Sequence, residues 1–281
     1  MNAIKNLVFF ATIAAVIIVS AAIWWSRNIY DEAAESGFSR TVRETLYEYR
    51  DRREPRIILK PDNKQLPDPY SDYENLTVDW FTKKSPAWDA ALADLKGKPD
   101  LQYLEVGAYE GRSLIWMLKN VLTHPTARAT VIDLFIDSID RDNNYSFSPE
   151  LQARYYANLA QAGGTEKTTT LVGYSQIKLR ELPLDFYDVI YIDGSHYGPD
   201  VLEDAVLAQR LLKPGGFLIF DDYRWFIGAS KLRRSKDAVK IFLEYFGEQF
   251  VVLHNQYQMI LKKVPPEPVD QGFDWPKLNP S

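Results

Sequence analysis

From Asp100 onward the chain alternates short apolar runs with amphipathic stretches, and no other feature limits its fold so strongly. LQYLEVG, ATVIDLF, TTTLVG, YDVIYIDG and GGFLIFDDY are rich in β-branched and aromatic residues and read as strands. SLIWMLKNVL, SPELQARYYANLAQAG, SQIKLREL, PDVLEDAVLAQRLL and SKDAVKIFLEYFG read as the helices between and after them. FVVLHNQYQMILKKV supplies one or two closing strands. Strands that are apolar almost throughout must be covered on both faces. The pattern therefore predicts the α/β class, a doubly wound, mostly parallel sheet with helices on each side.

The part before Asp100 reads differently. Leu7–Trp25, LVFFATIAAVIIVSAAIWW, carries no charge, and a membrane-spanning helix needs about 20 such residues. Trp24 and Trp25 suit the membrane interface. A transmembrane helix is the leading reading. A cleaved signal peptide, with Lys5 before the run and Val19-Ser20-Ala21 as its site, is the rival, and a buried core helix is a third. Arg27, Arg40, Arg43, Arg50, Arg52 and Arg53 follow the run, so the rest of a single-pass protein is expected on the cytoplasmic side. Phe38, Val42, Leu46 and Tyr49 stripe a charged helix over 27–56, stopped by Pro55. Residues 57–75 read as a linker or ordered loop, and SPAWDAALADLKG as a short helix with Ser85 as N-cap and Pro86 after it. The expected division is an anchor at 1–28, a helical and loop extension at 29–98, the main domain at 99–264 and a Pro-rich tail at 265–281.

Composition excludes some chemistry. The chain has 281 residues, 46% of them hydrophobic, enough for a sizeable core. It has no cysteine, so thiolate metal sites and a thiol nucleophile are out. A net charge of −5 gives no nucleic-acid footprint.

Open α/β sheets bind ligands beyond the carboxyl ends of their strands. Here the first strand delivers Glu105, Gly107, Ala108, Tyr109, Gly111 and Ser113 to that rim. The second delivers Asp133, the third Ser175 and Gln176, the fourth Asp193 and His196, and the fifth Asp221 and Asp222. So many acids at one rim repel each other unless cations or hydroxyl donors sit among them. The spacing Gly107-x-x-x-Gly111 after Glu105 is not the G-x-G-x-x-G of a dinucleotide site. A carboxylate is a poor neighbour for a pyrophosphate and a good one for a ligand with a cation and hydroxyls. S-adenosylmethionine is such a ligand, with a sulfonium, an ammonium and a ribose diol.

LEVGAYEGRS resembles the first motif of class I S-adenosylmethionine-dependent methyltransferases, the catechol-type O-methyltransferases in particular. That resemblance covers about residues 80–263. It implies a Rossmann-like, seven-stranded sheet with an antiparallel last strand. It implies Asp133 at the ribose, Ser175 and Gln176 at the adenine, and Asp193, Asp221 and Asp222 as ligands of a Mg²⁺. The family's catalytic lysine is replaced by His196 in DGSHY, which is similar instead to macrocin-type and cephalosporin-hydroxylase-like proteins with Asp-x-x-His. His196 is then the expected base, with Asp193 beside it. A metal-free version keeps every cofactor residue. Residues 136–148 and 223–235 are expected to shape the acceptor pocket. There Tyr223, Trp225 and Phe226 suit a ring, and Arg224, Lys231, Arg233 and Arg234 suit an anionic group. The expected function is O-methylation of a small molecule or sugar. A catalytically silent membrane-associated binding protein, a nicotinamide-dependent oxidoreductase, and a hydroxylase or other use of the metal are the alternatives.

Overall fold

The computed structural model describes residues 68–136, 147–225 and 231–264. The expected membrane run, the striped helix, the tail and most of the 136–148 loop lie outside the described residues. Among the described residues no helix is long and apolar enough to cross a membrane. The chain divides into two compact units. One comprises 56–225 and 235–281 and carries the sheet; of the other only 231–234 are described, with a 3₁₀ turn over Lys231–Arg233.

The strands are β1 Gln102–Val106, β2 Arg128–Asp133, β3 Thr168–Val172, β4 Tyr187–Ile192, β5 Leu212–Phe220, β6 Phe250–Asn255 and β7 Met259–Lys263. They form one sheet in the order β3-β2-β1-β4-β5-β7-β6. β1 to β5 pair in parallel, and β7 runs antiparallel to β5 and β6. This is the seven-stranded, mostly parallel sheet read from the alternation and the resemblance. The helices are α1 Ser85–Ala91, α2 Arg112–Asn120, α3 Pro149–Gln161, α4 Ser175–Lys178, α5 Gly198–Leu211 and α6 Ser235–Phe246.

Period-two alternation sorts the strands' side chains onto two faces. Tyr103, Val131, Tyr191 and Ile219 pack with Trp88, Ile115 and Tyr155. Leu104, Ile132, Ile190 and Leu218 pack with Val201, Ala205 and Phe242 on the other side. Both faces are dry, which is why the strands could afford so few polar residues.

The region before Asp100 is not a separate extension where it is described. Tyr70, Tyr73, Phe81, Trp88 and Leu92 are buried in the same core as α2 and the sheet, so 68–98 belongs to the main domain. Of the two readings of 57–75, linker or ordered loop, the described residues 68–75 form the ordered loop, with Tyr70 and Tyr73 in the core. The expected cap at Ser85 also differs. Ser85 is already helical, and its hydroxyl donates to the Thr82 carbonyl at 2.9 Å. A 3₁₀ turn over Thr82–Lys84 runs straight into α1. The start of α3 is as read, with Ser148 Oγ accepting from the Leu151 amide at 3.2 Å.

The order in which strands are added reverses between β1 and β4. β1 leads outward to β2 and β3, and the chain then returns to place β4 on β1's free side. The crevice of such a sheet opens at this switch point.

Candidate active site

The strand tips are level. The Gly107 amide donates to the Ile132 carbonyl at 2.8 Å, the Asp193 amide to Val106 at 2.8 Å, and the Asp221 amide to Ile192 at 2.9 Å. Each turn therefore leaves the sheet at the same height as its neighbour. Gly107 has φ +84°, and a Cβ there would stand 2.1 Å from the Asp193 carbonyl oxygen. Only a glycine lets the turn after β1 pass this close to the turn after β4. Gly111, at φ +87°, begins α2 in a left-handed conformation. Tyr109 and Asp222 are held at φ +51°, and Phe135 at φ +48°. Such backbone strain at strand tips persists only where surrounding bonds impose it.

Asp133 imposes much of it. Its Oδ2 accepts from the Ala108 and Tyr109 amides at 2.6 and 2.9 Å, and its Oδ1 from Phe135 at 2.6 Å. Burial pushes the Asp133 pKa up, against the pull of these amides. Asp133 therefore ties the glycine turn to β2.

Glu105 lies elsewhere than expected. Its side chain is wholly buried, 0% exposed, under the turn. The Ser113 hydroxyl donates to it, and so does the Tyr103 hydroxyl at 3.0 Å. Burial raises its pKa to about 8. Glu105 and Ser113 thus support the turn from below instead of lining the cleft. Ser175 and Gln176 open α4 beyond β3, half-buried. Ala108 is buried in the core cluster, so its backbone is what the turn offers.

The tips of β4 and β5 hold the remaining acids. His196 Nε2 lies 2.5 Å from Asp222 Oδ2. Ligand atoms of Asp193, His196 and Asp222 all lie within 4.8 Å of one another, a spacing that could hold a metal ion. Asp221 is not in this group. Its carboxylate accepts from the Lys84 ammonium and the Tyr191 hydroxyl. The same Tyr191 hydroxyl reaches Asp193 Oδ2 at 2.7 Å. Burial, reinforced by Asp221, pushes the Asp193 pKa well up. Burial would raise Asp222 too, but the His196 hydrogen bond and charge, with Lys84, hold it below the usual range. For Lys84, burial is outweighed by Asp221, Asp193 and Asp222, and its pKa is raised. The Tyr257 ring stands 5.0 Å from the ammonium. Trp225 meets the His196 ring edge-on at 4.4 Å.

Residues 104–223 match the family model of a methyltransferase domain. The sheet and its flanking helices form a Rossmann-like α/β fold. The chain is similar in fold to a Klebsiella pneumoniae protein assigned as an O-methyltransferase, with 19% identity, TM-score 0.52, and cover of 72% of this chain and 92% of that one. A Bacillus cereus O-methyltransferase in complex with S-adenosylhomocysteine gives 15% identity and TM-score 0.47, covering 84% and 96%. Protein R132 of Acanthamoeba polyphaga mimivirus is 27% identical over 140 residues, which is 48% of this chain and 58% of that relative's length.

The fold thus brings Gly107, Tyr109, Gly111 and Asp133 to one turn, and Asp193, His196 and Asp222 to the turns beside it. Motif reading missed Lys84, Tyr191 and Tyr257. Only Tyr191 left a signal: Tyr-x-Asp on β4 repeats the Tyr-x-Glu of β1, a hydroxyl two residues before a buried acid on the same face.

Proposed function

We propose that this chain transfers a methyl group from S-adenosylmethionine to a hydroxyl oxygen of a small molecule or sugar. One observation carries the reading: at the switch point the Gly107 turn touches the Asp193 turn, with Asp133 on one flank and the His196–Asp222 pair on the other.

The residues present fit such a donor. Asp133 occupies the Ala108 and Tyr109 amides, so that pair is not offered to a pyrophosphate. That weighs against a nicotinamide dinucleotide. The acids at the rim instead suit a sulfonium and an ammonium. When bound, S-adenosylmethionine supplies a methyl group on a positively charged sulfur. In this reading Asp133 accepts from the ribose hydroxyls, and Ser175 and Gln176 flank the adenine. The backbone of Gly107 through Gly111 borders the methionine part. With Nε2–H held by Asp222, His196 keeps its Nδ1 lone pair to take the acceptor's proton, and Asp222 stabilises the imidazolium that results. Asp193 faces the same space and orients the acceptor oxygen. Trp225 and Tyr257, beside His196 and Asp222, favour an acceptor with a ring.

The magnesium implied by the resemblance fits less well. Mg²⁺ takes oxygen ligands in near-octahedral order. Two carboxylates and an imidazole converge here, while Asp221 is bonded to Lys84. The proton and charge movements above need no metal. Leu7–Trp25 supports single-pass membrane attachment, which flotation with liposomes tests, and the arginines from Arg27 to Arg53 favour the cytoplasmic side for the domain.

The test of transfer uses the full chain, methyl-labelled S-adenosylmethionine and a panel of sugars and phenols. Label on an acceptor hydroxyl, lost in His196→Ala, is the expected result. Donor binding without transfer to any acceptor would favour the silent binding protein instead.

A further inference from the structure

Lys84 does not behave as a surface lysine. Its side chain is 14% exposed and that of Asp221 only 1%. The segment that carries it is laced to the glycine turn. The Thr77 amide and hydroxyl each donate to Glu110 at 2.7 Å, and Arg112 Nε donates to the Val78 carbonyl at 3.1 Å. Asp79 Oδ1 accepts from the Phe81 and Thr82 amides at 3.0 and 2.8 Å. On the far side, the Trp88 indole donates to Gln258 at 2.9 Å, and its ring stands 4.7 Å from Tyr191. The ammonium so positioned bonds Asp221 and is faced by Asp193 and Asp222.

We propose that Lys84 is the resident cation of this site, an ammonium that takes up Asp221 in place of a divalent ion and lets transfer proceed without one. The proposal rests on the methyl-transfer reading above. A divalent ion held by Asp193, His196 and Asp222 would stand beside a buried like charge, where low dielectric makes repulsion strong. It would also lack its third acid. Removing the ammonium leaves Asp193 and Asp221 without a balancing charge beside the His196–Asp222 pair, and that arrangement recruits a cation.

Mn²⁺ is titrated into metal-stripped, full-length protein and the free ion is followed by electron paramagnetic resonance. Wild type, Lys84→Met and Lys84→Arg are compared, each also titrated with S-adenosylhomocysteine. Lys84→Met is expected to bind Mn²⁺ at least about tenfold more tightly than wild type. Lys84→Arg should match wild type, and all should bind S-adenosylhomocysteine alike. Micromolar Mn²⁺ uptake by wild type overturns the proposal. So does a Lys84→Met protein that binds S-adenosylhomocysteine but takes up Mn²⁺ no better than wild type. If Lys84→Met does not fold, micromolar uptake by wild type or Lys84→Arg still overturns the proposal, and its absence in both supports it. Failure of all three to bind S-adenosylhomocysteine would sink the donor reading, and the Mn²⁺ result would still be read separately.

Discussion

The turns that meet at the switch point are held in two different ways. The turn after β1 is fixed by backbone: two left-handed glycines, and amides capped by Asp133. The turns after β4 and β5 are fixed by side-chain charge, with Lys84 on Asp221 and His196 on Asp222. Backbone geometry gives a rigid seat with little tolerance for added atoms. A charge network gives a seat whose protons and cations can change. The first property suits holding a donor in one pose, the second suits taking a proton from an acceptor.

Substitutions can break this contrast, and Gly107→Ala should do so most completely. Its Cβ would meet the Asp193 carbonyl at 2.1 Å, in a backbone conformation that disfavours any side chain. S-adenosylhomocysteine affinity should fall by about a hundredfold or more, a loss of about 2.8 kcal/mol of binding. Gly111→Ala meets only the Tyr155 ring, at 3.2 Å, and should be milder. Calorimetry on both proteins ranks them. His196→Ala comes next: kcat should fall about 10²- to 10⁴-fold with donor affinity unchanged, as steady-state kinetics and calorimetry would read. Asp133→Asn removes a charge-assisted set of hydrogen bonds and should weaken donor binding by about ten- to a hundredfold, with kcat at saturating donor little changed.

Glu105→Gln sharpens the comparison with the smallest effect on activity. Burial raises the Glu105 pKa from 4.5 to about 8. Between those values the unfolded chain has lost the proton and the folded chain keeps it. The group's contribution is therefore complete below pH 4.5 and is lost as pH rises toward 8, by up to about 1.4 kcal/mol per unit. Wild-type melting temperature should decline over that window, and the decline should flatten in Glu105→Gln.

What the sequence made legible follows the same line. The alternation of apolar and amphipathic runs determined the sheet, because burial on both faces leaves strands little choice of residue. The Gly107–Gly111 turn could be read because its needs are local. Why Gly107 must be glycine could not, because the obstructing atom belongs to Asp193 on another strand. Lys84 lies 137 residues from Asp221, and nothing in TKKSP distinguishes it from Lys83. Tyr257 sits in the β6–β7 connection and reaches Asp222 only through the fold. Glu105 was legible as part of the turn but not as its buried support, since a strand's register decides which side of the rim an acid faces.

A crystal structure of the full chain with S-adenosylhomocysteine is the most direct test that both turns serve one cleft. The account expects the ribose hydroxyls on Asp133, and the sulfur pointing across Gly107 toward Asp193 and His196. A ligand bound away from the switch point, or one whose sulfur faces away from His196, would contradict it.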